Sequence, residues 1–184
     1  MSLEERRVEP LSDGGEQFAP EWSIDGQWLY YTASQPGRRE RAVYRLPLEG
    51  GEAETVSLEP AQAAVDAPSG AVLIAHETLK LQRPTDPEPI SISNGPLLGY
   101  QSFDVKGGGV YYVSGSTIWF RPFAGRESYA VASHKGSPGP GLSIAPDQSA
   151  AYVVGAAVER ADIMQVEDVR ASLPHHGSRL LGWM

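Results

Sequence analysis

Phe18-Ala19-Pro20-Glu21-Trp22-Ser23-Ile24-Asp25-Gly26-Gln27-Trp28-Leu29-Tyr30-Tyr31 is the stretch that decides the fold. A turn tetrapeptide, Ser23-Ile24-Asp25-Gly26, separates a short strand at Glu21 to Ile24 from an aromatic run. Asp hydrogen-bonds the backbone ahead of it and Gly tolerates positive φ, so Asp25-Gly26 is a hairpin turn with a mechanism. The run Trp28-Leu29-Tyr30-Tyr31 is apolar at successive positions, as expected of a strand covered on both faces.

The pattern recurs. Ala67-Pro68-Ser69-Gly70, Val105-Lys106-Gly107-Gly108 and Ala145-Pro146-Asp147-Gln148 repeat the turn at spacings of 44, 38 and 40 residues. An apolar run follows each: Val72 to Ala75, Val110 to Val113 and Ala150 to Val153. A second strand comes later in each unit, at Ala42 to Leu48, Leu79 to Arg83, Ile118 to Phe123 and Asp162 to Val166. Three of these carry an Arg shortly before a Pro: Arg45 and Pro47, Arg83 and Pro84, Arg121 and Pro122. More polar strands close three units, at Ala53 to Leu58, Pro89 to Ser93 and Arg126 to Ser133. Four short strands per unit of about 40 residues is the pattern of a β-propeller blade. A β-sandwich is the weaker alternative, because it does not require the same order of turn, run and Arg-Pro strand in every unit.

The expected fold class is all-β, a propeller of about four blades of four antiparallel strands. The blades fall at 17–58, 59–94, 95–134 and 140–170, with residues 7–12 as a closing outer strand and 171–184 as a C-terminal tail. An open arc or incomplete ring is favoured over a true four-bladed ring. Such an arc exposes apolar sheet faces at its ends and would self-associate through open blade edges.

Composition excludes several classes. The 184 residues suffice for one or two domains, and the 20 glycines and 15 prolines suit many tight turns rather than helices. With no cysteine there is no disulfide framework, thiolate nucleophile or Cys-ligated metal. A net charge of −8 argues against nucleic acid or an anionic membrane as partner. No signal peptide precedes the first repeat, so the chain as given reads as cytoplasmic, or periplasmic if a leader lies upstream.

The search for chemistry yields little, and no catalytic, metal or cofactor-binding residue is assigned. His76 reads as a strand-end residue, and His134 sits in a Ser-His-Lys-Gly loop. His175-His176 lacks the spacing of a metal motif. Gly141-Leu142-Ser143-Ile144-Ala145 lacks the second Gly of a nucleophile elbow and falls on a predicted strand. Gly107-Gly108-Gly109 reads as a hairpin turn, without the Lys-Ser/Thr of a phosphate loop. Arg38-Arg39-Glu40-Arg41 reads as a solvated hairpin loop. The predicted inner strands offer Glu21, Gln62, Gln101 and Ser143 to a central channel, a thin set for catalysis.

The first repeat resembles the TolB-like, or WD40-like, β-propeller repeat, which reads Pro-x-Trp-Ser-Pro-Asp-Gly before an apolar run. Pro20, Trp22, Ser23, Asp25 and Gly26 match; Ile24 departs. Val43 to Glu52 looks like the third strand and Gly-Gly turn of that repeat, and Ser143 to Glu167 is similar to the closing blade of large bacterial TolB-like proteins. The resemblance covers about residues 7–170. Ala67, Ala145 and Gln148 replace the usual Ser, Ser and Gly. The resemblance implies a non-catalytic module for protein or peptide binding, the scaffold or sensor portion of a larger bacterial system. Its alternative is the propeller part of a peptidase-associated hydrolase, or a hydrolase or lyase with a channel site.

Overall fold

A computed structural model describes residues 16–34, 40–134, 137–157 and 160–167. Sheet 1 holds β1 (Gln17–Trp22), β2 (Trp28–Ser34), β3 (Arg41–Pro47) and β4 (Glu54–Ser57). Sheet 2 holds β5 (Ala63–Ala67), β6 (Ala71–Ala75), β7 (Leu79–Gln82) and β8 (Ile90–Ser91). Sheet 3 holds β9 (Phe103–Lys106), β10 (Gly109–Ser114), β11 (Thr117–Pro122) and β12 (Tyr129–Ser133). Sheet 4 holds β13 (Ser137–Ile144), β14 (Ala150–Ala157) and β15 (Arg160–Glu167). Within each sheet every strand pairs antiparallel with its sequence neighbours, and a 3-10 turn at Pro68–Gly70 is the only helical element among the described residues. The proposed closing strand 7–12 and the tail 171–184 lie outside the described residues.

The predicted turns have the geometry their residues allow. In the first, the Ser23 hydroxyl donates to Asp25 Oδ1 at 2.6 Å and accepts the Trp28 N–H at 2.9 Å. The same Asp25 oxygen accepts the Gln27 N–H at 3.0 Å, and Gly26 takes φ +69°. In the fourth, Asp147 Oδ1 accepts both the N–H and the hydroxyl of Ser149. Gln148 stands where the first repeat has Gly, yet it keeps the left-handed conformation, at φ +60°. That costs a non-glycine residue of order 1 kcal/mol, so surrounding contacts must hold it there.

Strands β6 and β10 are apolar on both faces because each packs between two sheets. In β6, Val72 and Ile74 join Tyr30 and Val43 of sheet 1 in one buried cluster. Leu73 and Ala75 point the other way and join Val110 and Tyr112 of sheet 3. In β10, Tyr111 and Val113 face sheet 4, where they meet Leu142, Ile144, Ala151 and Val153. Alternate residues of one strand therefore serve different interfaces. Burial of each large side chain contributes about 1.5–3 kcal/mol. The clusters join sheets 1 and 2, 2 and 3, and 3 and 4; none among the described residues joins 4 to 1.

Several strand boundaries depart from the sequence reading: β1 runs Gln17–Trp22 rather than Glu21 to Ile24, β12 begins at Tyr129 rather than Arg126, and two further shifts have a local cause in proline. Strand β13 begins at Ser137, ahead of the expected Leu142, and carries a bulge between Pro138 and Leu142. The Pro and Gly residues of that segment hide the strand, because prolines are tolerated where a strand has a free edge. Strand β8 shrinks to Ile90–Ser91 from the expected Pro89 to Ser93. Pro89, with no N–H to donate, stands immediately before it.

Candidate functional site

The first strands of all four sheets converge on one cavity of about 830 Å³. Strand β1 contributes Ala19, Pro20 and Glu21, β5 contributes Ala63 and Val65, and β9 contributes Phe103 to Val105. Strand β13 gives Gly141 to Ser143, β14 gives Tyr152 to Val154, and Tyr100 with Gln101 precede β9.

Two of the lining strands are bent at the cavity. In β1 the register shifts between Phe18 and Glu21, and Ala19 holds φ +48° immediately before Pro20. In β13 the bulge brings Gly139 and Gly141 against Val154, where added Cβ atoms would lie 2.8 and 2.6 Å from its methyl groups. Glycine is required there by the close approach of β14. Bulges re-aim side chains, and strained backbone concentrates at functional positions.

The segment before β9 is tied to β13. The Leu142 N–H donates to the Gln101 carbonyl at 2.9 Å, and Gly99 lies so near Pro140 that a Cβ would come within 2.9 Å of it. This holds the half-exposed Tyr100 at the cavity, opposite the half-exposed Tyr152. Asp104 is already engaged: its Oδ2 accepts the Ile144 N–H at 2.8 Å, and Lys106 Nζ stands 3.7 Å from its other oxygen. Glu21 has no ion-pair partner among the described residues. The walls are thus largely apolar, with the unpaired Glu21 carboxylate, the engaged Asp104, two tyrosines, the Gln101 amide and the Ser143 hydroxyl as polar features.

Of the four inner-strand residues named from sequence, Glu21, Gln101 and Ser143 meet here. Gln62 does not; it lines a separate depression of about 300 Å³ with Arg41 and His76. Arg41, the described arginine of the 38–41 cluster, stacks on the Phe18 ring at 3.3 Å. Ser143 lies on strand β13, where a nucleophile elbow cannot form. Gly107 and Gly108 form a turn with φ +59° and +79°. His134, read as a loop residue, is 7% exposed, and neither ring nitrogen has a hydrogen-bond partner among the described residues. Among the described residues no three His, Cys, Asp or Glu side chains gather as a metal-binding group. Sequence reasoning missed Tyr100, Tyr152 and Asp104. Tyr152 was hidden inside an apolar run whose alternate face was unknown.

Antiparallel sheets packed face to face, with their first strands on a shared cavity, define a β-propeller. Solved structures agree. TolB from Acinetobacter baumannii matches with a TM-score of 0.62 at 15% identity, over 83% of this chain and 41% of that one. Nidogen, from its complex with laminin, matches with a TM-score of 0.57 at 15% identity, over 82% of this chain and 60% of that one. A prolyl endopeptidase matches with a TM-score of 0.54 at 16% identity, over 80% of this chain and 24% of that one. The fold is that of a TolB-like β-propeller, and the chain spans less than two thirds of each of these proteins. No protein-family model matches the sequence, and no curated protein matches it.

Proposed function

We propose that this propeller module binds a protein or peptide segment at the axial cavity and performs no chemistry of its own, as a scaffold or sensor portion of a larger bacterial protein. The observation that carries the reading is the cavity itself. Its volume of about 830 Å³ lies in the range of binding sites, and its apolar walls carry two tyrosines and one free carboxylate. Tyrosines anchor protein contacts because they bring large apolar area and a polar tip at low entropic cost. Among the described residues the first strands pair within their sheets on one side only; where the other edge is not already bonded, as the Leu142 and Ile144 N–H groups are, it offers backbone donors and acceptors to an extended segment. Nidogen, a propeller neighbour, was solved assembled with a protein, laminin, which is consistent with this use of the fold.

The test is a random-peptide display selection on the purified chain, followed by calorimetry of the enriched peptides. Saturable binding that weakens about tenfold or more in Tyr100→Ala and Tyr152→Ala is expected. Failure to enrich any peptide, or binding indifferent to both substitutions, would remove the cavity as the site.

A further inference from the structure

The repeat places an arginine near the end of the third strand in three successive blades: Arg45, Arg83 and Arg121. Arg45 and Arg83 line one cleft of about 260 Å³ between sheets 1 and 2, separate from the axial cavity. Tyr30, Thr55 and Gln82 are its other polar lining residues, and among the described residues no Asp or Glu lines it. In a chain of net charge −8, two guanidinium groups and two hydroxyls therefore face this cleft with no acid among its lining residues.

On sheet 3, burial presses the Arg121 guanidinium below its ordinary pKa; the charge of Arg83 acts in the same direction, while Tyr112 and Glu127 oppose it. Among the described residues no carboxylate lies within ion-pair distance of Arg121, whose guanidinium donates to the Arg126 carbonyl. Arg45 and Arg83 are each held from outside the cleft, by Glu54 at 2.6 Å and Asp86 at 3.4 Å. Both arginine side chains are more than a third exposed, at 36% and 40%, so these pairs are weak and exchangeable.

We propose that the Arg45–Arg83 cleft is a second interaction surface, which takes a carboxylate-bearing segment of a protein partner. Guanidinium groups bind carboxylates through paired N–H donors, and the cleft's hydroxyls complete the donor set. An acidic peptide fits better than a nucleic acid. Only two arginines line the cleft, enough for one or two carboxylates of a peptide but too few for the continuous run of phosphates of a nucleic acid. The surface is independent of the axial cavity, so either assignment can fail without the other.

The experiment is fluorescence anisotropy of a labelled hexaglutamate peptide against the full chain at low salt, with a thymidine hexanucleotide as the competing probe. Saturable, salt-sensitive hexaglutamate binding is expected, weakened about tenfold in Arg83→Gln and unchanged in Leu98→Ala, an exposed residue outside both the cleft and the cavity. Glu54→Gln, which frees Arg45, should tighten binding about threefold, an effect that impaired folding cannot imitate. No hexaglutamate binding by the wild type, equal binding by Arg83→Gln, or weaker binding by Glu54→Gln overturns the proposal. Arginine-dependent binding of the hexanucleotide tighter than that of hexaglutamate overturns it in favour of a nucleic acid.

Discussion

The Tyr111 hydroxyl donates to Gln148 Oε1 at 3.1 Å, tying β10 of sheet 3 to the first turn of sheet 4. That side chain also fills the space beside Gly107: a Cβ there would lie 2.0 Å from the same oxygen. Gln148 thus loses the ease of glycine in a left-handed turn and gains a contact between sheets. Gly107→Ala is expected to destabilise by about 2–3 kcal/mol, from the clash and from its own φ of +59°. Gln148→Gly relieves strain while losing one hydrogen bond, and should shift stability by less than about 1 kcal/mol. Chemical denaturation of both variants checks the contrast; equal losses would refute it.

Two aspartates make the same bond in different surroundings. Asp66 Oδ2 accepts the Ile24 N–H and Asp104 Oδ2 accepts the Ile144 N–H, each at 2.8 Å. Ile24 is 67% exposed, whereas Ile144 is 2% exposed. Water replaces the lost acceptor in Asp66→Ala, so its cost should stay below about 1 kcal/mol. Asp104→Ala leaves a buried N–H unpaired and should cost about 1–3 kcal/mol. Thermal melts should rank the two variants in that order.

Asp25 sets a pH dependence. The Ser23 hydroxyl, and after it the Gln27 N–H, hold its carboxyl below the ordinary carboxylate value. A folded pKa below the unfolded one gives stability that is present above the unfolded value and lost as pH falls through the folded one. The stability difference between wild type and Asp25→Asn should therefore be constant near neutrality and shrink below about pH 4. Denaturant midpoints over that range test this, and a difference that persists unchanged at about pH 2 would contradict it.

Leu73 is fully buried in the cluster between sheets 2 and 3. Leu73→Ala should cost about 2–5 kcal/mol, the range for a buried leucine that leaves a cavity. Leu98, 43% exposed, should lose less than about 0.5 kcal/mol in the same substitution. Loss of stability in Leu98→Ala equal to that in Leu73→Ala would show that burial does not govern this fold's stability.

The turns and second strands were legible because their cues are local. Asp25-Gly26 bonds within itself, and the apolar runs show two covered faces in four consecutive residues. The cavity was harder to read. The bulge at Ala19 and Pro20 depends on pairing with β2, and the pairing of the Pro- and Gly-rich start of β13 depends on β14. The roles of Tyr100 and Asp104 rest on partners some 40 residues away, Leu142 next to the former and Ile144 against the latter. Glu21, Gln101 and Ser143 were found by inner-strand position, whereas Gln62 stands just ahead of β5 and opens onto another depression.

Each buried cluster belongs to two adjacent sheets, and β6 and β10 each serve two clusters. Stability in such an array is a chain of nearest-neighbour couplings. Unfolding that starts at an end sheet forfeits one coupling, whereas a lesion in sheet 2 or 3 forfeits two. Hydrogen exchange should accordingly proceed inward from the flanks, with the amides of β6 and β10 the last to open.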